Sequence, residues 1–243
     1  MAVVMNAFPN LHVRKWLPHL AAILVLLGCA RLALWQMERA GEKQALLDQW
    51  ETAPALSLER LDEVEPEPYT PVVGPGLFDP HRHVLLDNQV RANHPGVHVF
   101  TPFRPHGSNL IILVNRGWQP FDRRSGQWPD FDTPTETVEL SGRLSPPPRV
   151  GIQIGRAEPL DADQWPNLMT YFDLELLQEV FGDELLDDVL LLDADHSAHL
   201  SGDPWRPVTM GPERHRGYAF QWTSIGLVVL LIWILLSIKA LRN

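Results

Sequence analysis

Cysteine is almost absent from this 243-residue chain. Cys29 stands alone, so no intrachain disulfide can form and no thiolate cluster can hold a metal. Familiar catalytic patterns are missing too. There is no Gly-x-Ser-x-Gly, His-Glu-x-x-His, Cys-x-x-Cys or phosphate-cradling glycine loop, which removes the hydrolase, zinc protease, thiol redox and nucleotide readings that rest on them. Internal repeats and low-complexity tracts are lacking. Acidic residues are missing from both ends: all 30 Asp and Glu lie between Glu38 and Glu213, and the segments outside are apolar and tipped with Arg14, Lys15, Lys239 and Arg242. The net charge of -10 argues against a nucleic-acid partner.

What those ends contain is length and hydrophobicity. Residues 217–238 carry no charge, and at 1.5 Å per residue they reach roughly 30 Å, the thickness of a hydrocarbon core. The stretch Leu17 to Trp35 is nearly as apolar, with His19 near its start and Arg31 inside it, and the first span is set at 17–37. Trp16, Trp35, Tyr218 and Trp222 mark the expected water interfaces, whereas Trp233 is too deep for that role. Short basic flanks set orientation. Residues 1–16 and 239–243 are therefore expected in the cytoplasm, and 38–214 on the outer side of a lipid bilayer. Leu26-Leu27-Gly28-Cys29 looks like a lipoprotein cleavage site, and a cleaved signal peptide is the other processing reading. Both conflict with the apolar run that continues through Trp35.

Between the spans there is room for one domain with its own core. Helix formers continue from Met37 to Ala53, so the first apolar helix is expected to run on until Pro54 stops it, and the proline-rich acidic stretch to Pro71 reads as a loop. Beyond it come short β-like runs: HVLLDNQV, GVHVFTPF, NLIILVNRG, TVELSGRL and VGIQI. Asp173 is placed to cap a helix LELLQEVF that Gly182 would end. The expected fold is an integral membrane protein, two transmembrane α-helices flanking a β-rich α+β periplasmic domain.

Chemistry-bearing residues are few. The histidine pairs His81/His83, His94/His98 and His196/His199 read as scattered surface residues, with metal binding the less favoured alternative. Asn115-Arg116-Gly117-Trp118-Gln119-Pro120 closes the strongest strand. Strand-end geometry around Gly117 explains it, or Asn115, Arg116 and Trp118 present a recognition surface to a partner protein. At the second membrane entry His215, Tyr218 and Trp222 stand at i, i+3 and i+7 on one helix face, flanked by Arg214 and Arg216. Opposite them Arg31, Trp35 and Arg39 recur at i, i+4 and i+8. A haem could use an imidazole ligand, aromatic walls and guanidinium partners for its propionates. An interfacial anchor with a wet His215 is the other reading.

Five segments in one order carry a resemblance: LALWQMERAGEK at the end of the first span, GLFDPHRHVLLDNQVRANHPGVHVFTPF, LVNRGWQP, WPNLMTYFDL, and HRGYAFQW opening the second span. The sequence from Leu32 to Trp222 resembles the surfeit locus protein 1 family. That resemblance implies a non-enzymatic cytochrome c oxidase assembly factor with its large domain in the periplasm or intermembrane space. It implies oxidase subunit I as partner, with haem a synthase as a further one. For some bacterial members it implies haem a bound through a histidine at the position of His215, which also makes His215 the expected iron ligand. Trp35, Gln36 and Arg39 match the family's signature at the end of the first span. With no mitochondrial presequence before Leu17, a bacterial inner membrane is expected. The rivals are a chaperone for subunit I that never touches haem, and a membrane-tethered periplasmic hydrolase or transferase.

Overall fold

The structure, a computed structural model, describes residues 11–148, 158–202, 204–208 and 210–242, with side chains from Trp16 onward. The expected strand VGIQI lies outside the described residues. Two compact units emerge, one from Met1–Gln49 with Val208–Asn243 and the other from Trp50–Pro207.

The first unit is a pair of helices, α1 (Leu11–Thr52) and α3 (Pro212–Arg242). Alpha1 does extend past the apolar stretch, as its helix formers from Met37 onward require, and it stops just before Pro54. Both helices are long and apolar enough to cross a membrane. Their apolar side chains point outward: Leu20, Leu24, Leu27, Leu34, Leu227, Leu231 and Leu235 are all exposed. A helix from the core of a water-soluble fold would bury them. Small residues line the seam where the helices meet. Cys29, Ala40 and Ala219 are buried, and a Cβ on Gly226 would sit 3.4 Å from that of Cys29, so the backbones approach closely. The pairs Cys29/Gly226, Gln36/His215 and His19/Trp233 show that the helices run antiparallel.

Among the described residues the second unit has eight strands: β1 (Leu56–Ser57), β2 (Pro71–Phe78), β3 (Val84–Leu86), β4 (Gly96–Pro105), β5 (Ile111–Pro120), β6 (Val138–Ser145), β7 (Asn167–Met169) and β8 (Leu185–Leu192). Strand β2 pairs with β6 along its first part and with β4 along its last, so the ring β2-β6-β8-β5-β4 closes on itself. Strands β3 and β7 extend β4 outward and β1 lies against β2. Alternation decides which side chains go inside. Val72, Phe78, Phe103, Ile112, Val114, Leu140, Leu144, Leu190 and Leu192, from all five ring strands, form one cluster. Their out-of-phase neighbours Phe100, Ile111, Leu113, Leu185 and Val189 pack with Leu177 and Phe181 of α2 (Leu174–Phe181).

Alpha2 occupies the expected residues, with the Asp173 carboxylate accepting from the Leu176 amide at its start and Gly182 at its end. Strands β1, β2, β7 and β8 were not anticipated, β1 lying in the stretch before Pro71 that was expected to be a loop. Beta2 carries Pro71, Gly74, Pro75 and Gly76, a turn-like composition, yet a Cβ at Gly76 would overlap the Phe103 ring. The glycine leaves room for that ring inside a narrow barrel. The compact β unit is also shorter than 38–214, because α1 and α3 claim residues at both ends of that interval.

Candidate functional site

Polar side chains meet between the two helices at three levels. Trp233 Nε1 donates to His19 Nδ1 at 2.8 Å, His215 Nδ1 lies 2.8 Å from Gln36 Oε1, and Arg216 Nη2 donates to Gln44 Oε1 at 3.3 Å. The middle contact fixes a tautomer. With the Gln36 amide oxygen facing it, Nδ1 donates, and in the neutral imidazole Nε2 then carries a lone pair that no partner among the described residues engages. His215 is half-buried, as is Trp222 one heptad further along the same helix face, while Tyr218 is 42 % exposed to the side of that face. Trp35 neighbours Gln36 on α1 and is largely exposed, with the Arg39 guanidinium 5.9 Å from its ring centroid. Arg39 also pairs with Glu42 at 2.6 Å, and Arg31 with Glu38 at 3.9 Å; both are exposed pairs that cost little to open. Arg214 is exposed. The structure thus brings His215, Trp222 and Arg216 to the seam and leaves Tyr218, Trp35, Arg39 and Arg214 around its rim.

The end of β5 corrects the expectation of a recognition surface. Asn115 and Arg116 are each 1 % exposed. Arg116 donates from Nε to the Ala198 carbonyl at 2.9 Å, from Nη1 to Thr133 Oγ1 at 2.6 Å and from Nη2 to the Asp132 carbonyl. Its guanidinium lies 5.5 and 5.7 Å from the ring centroids of Phe78 and Phe131. With Ile112 and Val114 turned into the barrel, period-two alternation sends Arg116 the same way, where it closes one end and ties down two loops. Burial lowers its pKa to about 10, so it stays charged at neutral pH. Of the three residues, Trp118 alone reaches the surface. It is half-buried, and its indole N–H donates to the Gln89 carbonyl at 2.7 Å.

Two histidines expected at the surface are largely inside. His83 is buried, with Nδ1 3.1 Å from Thr101 Oγ1 and Nε2 3.1 Å from the Pro80 carbonyl. His98 lies beside Asn115, whose Nδ2 donates to its Nδ1 at 3.3 Å, and edge-on to Trp205 at 5.5 Å between ring centroids. Burial lowers the pKa of both to about 4. His98, Trp118, Ser201 and Trp205 line a cavity of about 240 Å³. His199 is also shifted down by burial, and its Nε2 is buried without a partner among the described residues. His81 and His94 are exposed. No group of three or more His, Cys, Asp or Glu with metal-holding geometry occurs among the described residues.

Sequence reasoning missed what Gln36 does. Its partner is 179 positions away, and no local pattern signals that pairing.

A closed β-barrel unit that lies in sequence between two long apolar helices, and a half-buried imidazole where those helices pack, define the class of protein. The chain belongs to the SURF1 family, whose model matches residues 23–227. It is 30 % identical over 170 residues to a SURF1-like protein of Caenorhabditis elegans, covering 65 % of this chain and 49 % of that protein. A SURF1-like protein of Caenorhabditis briggsae is 30 % identical over 175 residues, covering 67 % of this chain and 51 % of its own length. Surfeit locus protein 1 of Xenopus tropicalis is 26 % identical over 246 residues, 91 % of this chain and 75 % of that protein. The chain spans about half the length of the two nematode relatives.

Proposed function

We propose that this chain is a non-enzymatic assembly factor for haem-copper cytochrome c oxidase, which holds haem a at the start of α3 and assists its transfer to oxidase subunit I. In this reading α1 and α3 span a bacterial inner membrane, both termini are cytoplasmic and the β unit is periplasmic, with haem a synthase as a further partner. Membership of the family supports the assembly role. The outward-facing leucines of both helices support the membrane placement, because a surface of that kind is stable only in lipid or against other apolar helices.

The single observation that carries the haem reading is that His215 is engaged through Nδ1, with no partner for its Nε2 among the described residues. Haem a, when bound, would supply an iron that accepts an imidazole nitrogen and propionates that accept cations. The residues present fit that group. His215 would hold the iron through Nε2. Arg214 and Arg216 stand one position to either side and would meet the propionates, with Arg39 able to leave its exposed pair with Glu42 to join them. Tyr218, Trp222 and Trp35 would supply aromatic walls, and Trp222 also keeps water from the seam.

A visible spectrum of the protein purified from cells that make haem a tests the reading. A Soret band that is lost or shifted in His215→Ala, in protein that still inserts and folds, is the expected result. Weaker losses are expected in Tyr218→Ala and Trp222→Ala, which remove walls and leave the ligand. A wild type without haem under those conditions turns the assignment to a chaperone of subunit I that works by protein contact alone. Reporter fusions at Asn243 and near Gly107 test the topology, and a periplasmic signal at Asn243 would overturn it.

A further inference from the structure

Among the described side chains of the helix pair two histidines bond to the opposite helix, and their neighbours treat them in opposite ways. His19 Nδ1 accepts from the Trp233 indole, 2.8 Å away, so its proton must sit on Nε2. His215 Nδ1 donates to Gln36 Oε1 at the same distance, so its proton sits on Nδ1. An indole N–H can only donate, which settles the first pairing, and the second follows from the amide oxygen of Gln36, and not its amide nitrogen, facing Nδ1. Only the second leaves Nε2 able to give a lone pair to a metal.

We infer that Gln36 is a positioning residue that selects the metal-accepting tautomer of His215, and that the Trp233 indole denies that tautomer to His19. This deepens the haem reading above and rests on it for the identity of the metal, though the choice of tautomer does not. Geometry supports the assignment at three points. Gln36 comes from the helix opposite His215, so the hydrogen bond also orients the imidazole ring relative to α1. Arg216, the next residue on α3, makes a second cross-helix bond to Gln44, two turns along α1 from Gln36, which limits rotation of α3 about its axis. Close approach at Cys29 and Gly226 limits their separation. Gln36 therefore acts as the outer partner that a ligating histidine needs on its other nitrogen. Being neutral, it fixes the proton without a charge that would compete for the cationic groups Arg214 and Arg216.

The same logic excludes His19 from ligation. Its cavity with Trp233, Ala22, Val229 and Ile232 is apolar, and the imidazole offers that cavity a donor and not a lone pair.

Nitrogen NMR of histidine-labelled, haem-free full-length protein in detergent, which reads the tautomer directly, is the primary test. His215 is expected in the Nδ1–H form and His19 in the Nε2–H form. Gln36→Leu, which keeps size and helix propensity, should move His215 towards Nε2–H and leave His19 unchanged, the latter reporting that the helix pair is intact. Gln36→Glu keeps an acceptor and should restore the Nδ1–H form. In the second arm protohaem is titrated into the same proteins. Gln36→Leu should weaken its binding by about 10–100-fold, the usual cost of losing such an outer partner, and shift the Soret band, with Gln36→Glu recovering most of the loss. His215 found as Nε2–H in the wild type, or unmoved by Gln36→Leu, overturns the inference. If the tautomers follow Gln36 but the wild type takes neither protohaem nor haem a, the haem reading fails and the assignment of Gln36 stands.

Discussion

Arg116 and His215 both turn a polar group towards a neighbouring element, and the two units use them in opposite ways. In the barrel the guanidinium is fully enclosed, and its donors go to two carbonyls and a hydroxyl while two aromatic rings face it. Its bonding capacity goes into holding loops. Between the helices His215 uses one nitrogen for orientation, and the other has no partner among the described residues. A buried cation whose three hydrogen bonds all run to loop groups is a structural fastener, whereas a half-buried imidazole oriented through one nitrogen can offer the other to a ligand. In the proposed haem reading the helix seam is the working surface, and Arg116 at the end of β5 is architecture.

The largest effect should come from breaking the fastener. Arg116→Met removes the donors to Ala198, Asp132 and Thr133 and leaves those acceptors inside, so the β unit should lose about 3–5 kcal/mol of stability. Thermal or urea unfolding of the full-length protein followed by tryptophan fluorescence measures this, and a loss under 1 kcal/mol would make Arg116 dispensable to the fold. Acid should act next. His83 and His98 have their folded-state pKa lowered from 6.5 to about 4, so below 6.5 the unfolded chain binds protons that the folded one refuses. The stability held above pH 6.5 is therefore lost as pH falls towards 4, by about 3 kcal/mol for each imidazole over the whole window. Replacing either histidine with Gln should flatten that slope, which unfolding curves across the window would show. A smaller loss is expected at Gly117, whose φ of 109° and closeness to the Ser201 carbonyl exclude a side chain. Gly117→Ala should cost about 1–3 kcal/mol by the same assay. His215→Ala, at the other pole of the comparison, should change stability by less than about 0.5 kcal/mol while altering the haem spectrum. A large loss of stability there would make His215 a fastener as well.

Legibility in the sequence followed the same divide. Strands β4, β5 and β6 and helix α2 could be read because local chemistry alone specifies them: alternating β-branched residues, an Asp at the N-cap, a Gly at the end. Beta2 could not, because its glycines answer to Phe103 on another strand and to Leu58 before it. Beta8, LLDDVLLL, has an apolar run that suits a helix as well as a buried strand, and only pairing on both sides with β5 and β6 decides. Arg116 looked like a surface residue because a lone cation at a strand end usually is one; its partners lie 16 to 82 positions away. On the helices the spacing of His215 and Trp222 was visible, and the contact that gives His215 its tautomer was not.

The closed ring also constrains the order of events during biogenesis. Strand β8 sits between β5 and β6, so the barrel cannot close until the chain has been delivered as far as Leu192. Pro212, where α3 begins, follows by only 20 positions. Pairings that join residues far apart in the chain form slowly, while a helix relaxes in about a microsecond. The second apolar helix thus follows the last ring strand closely, and with no disulfide available to hold a partly formed ring, closure depends on β8 reaching its slot before the unpaired edges of β5 and β6 find another chain.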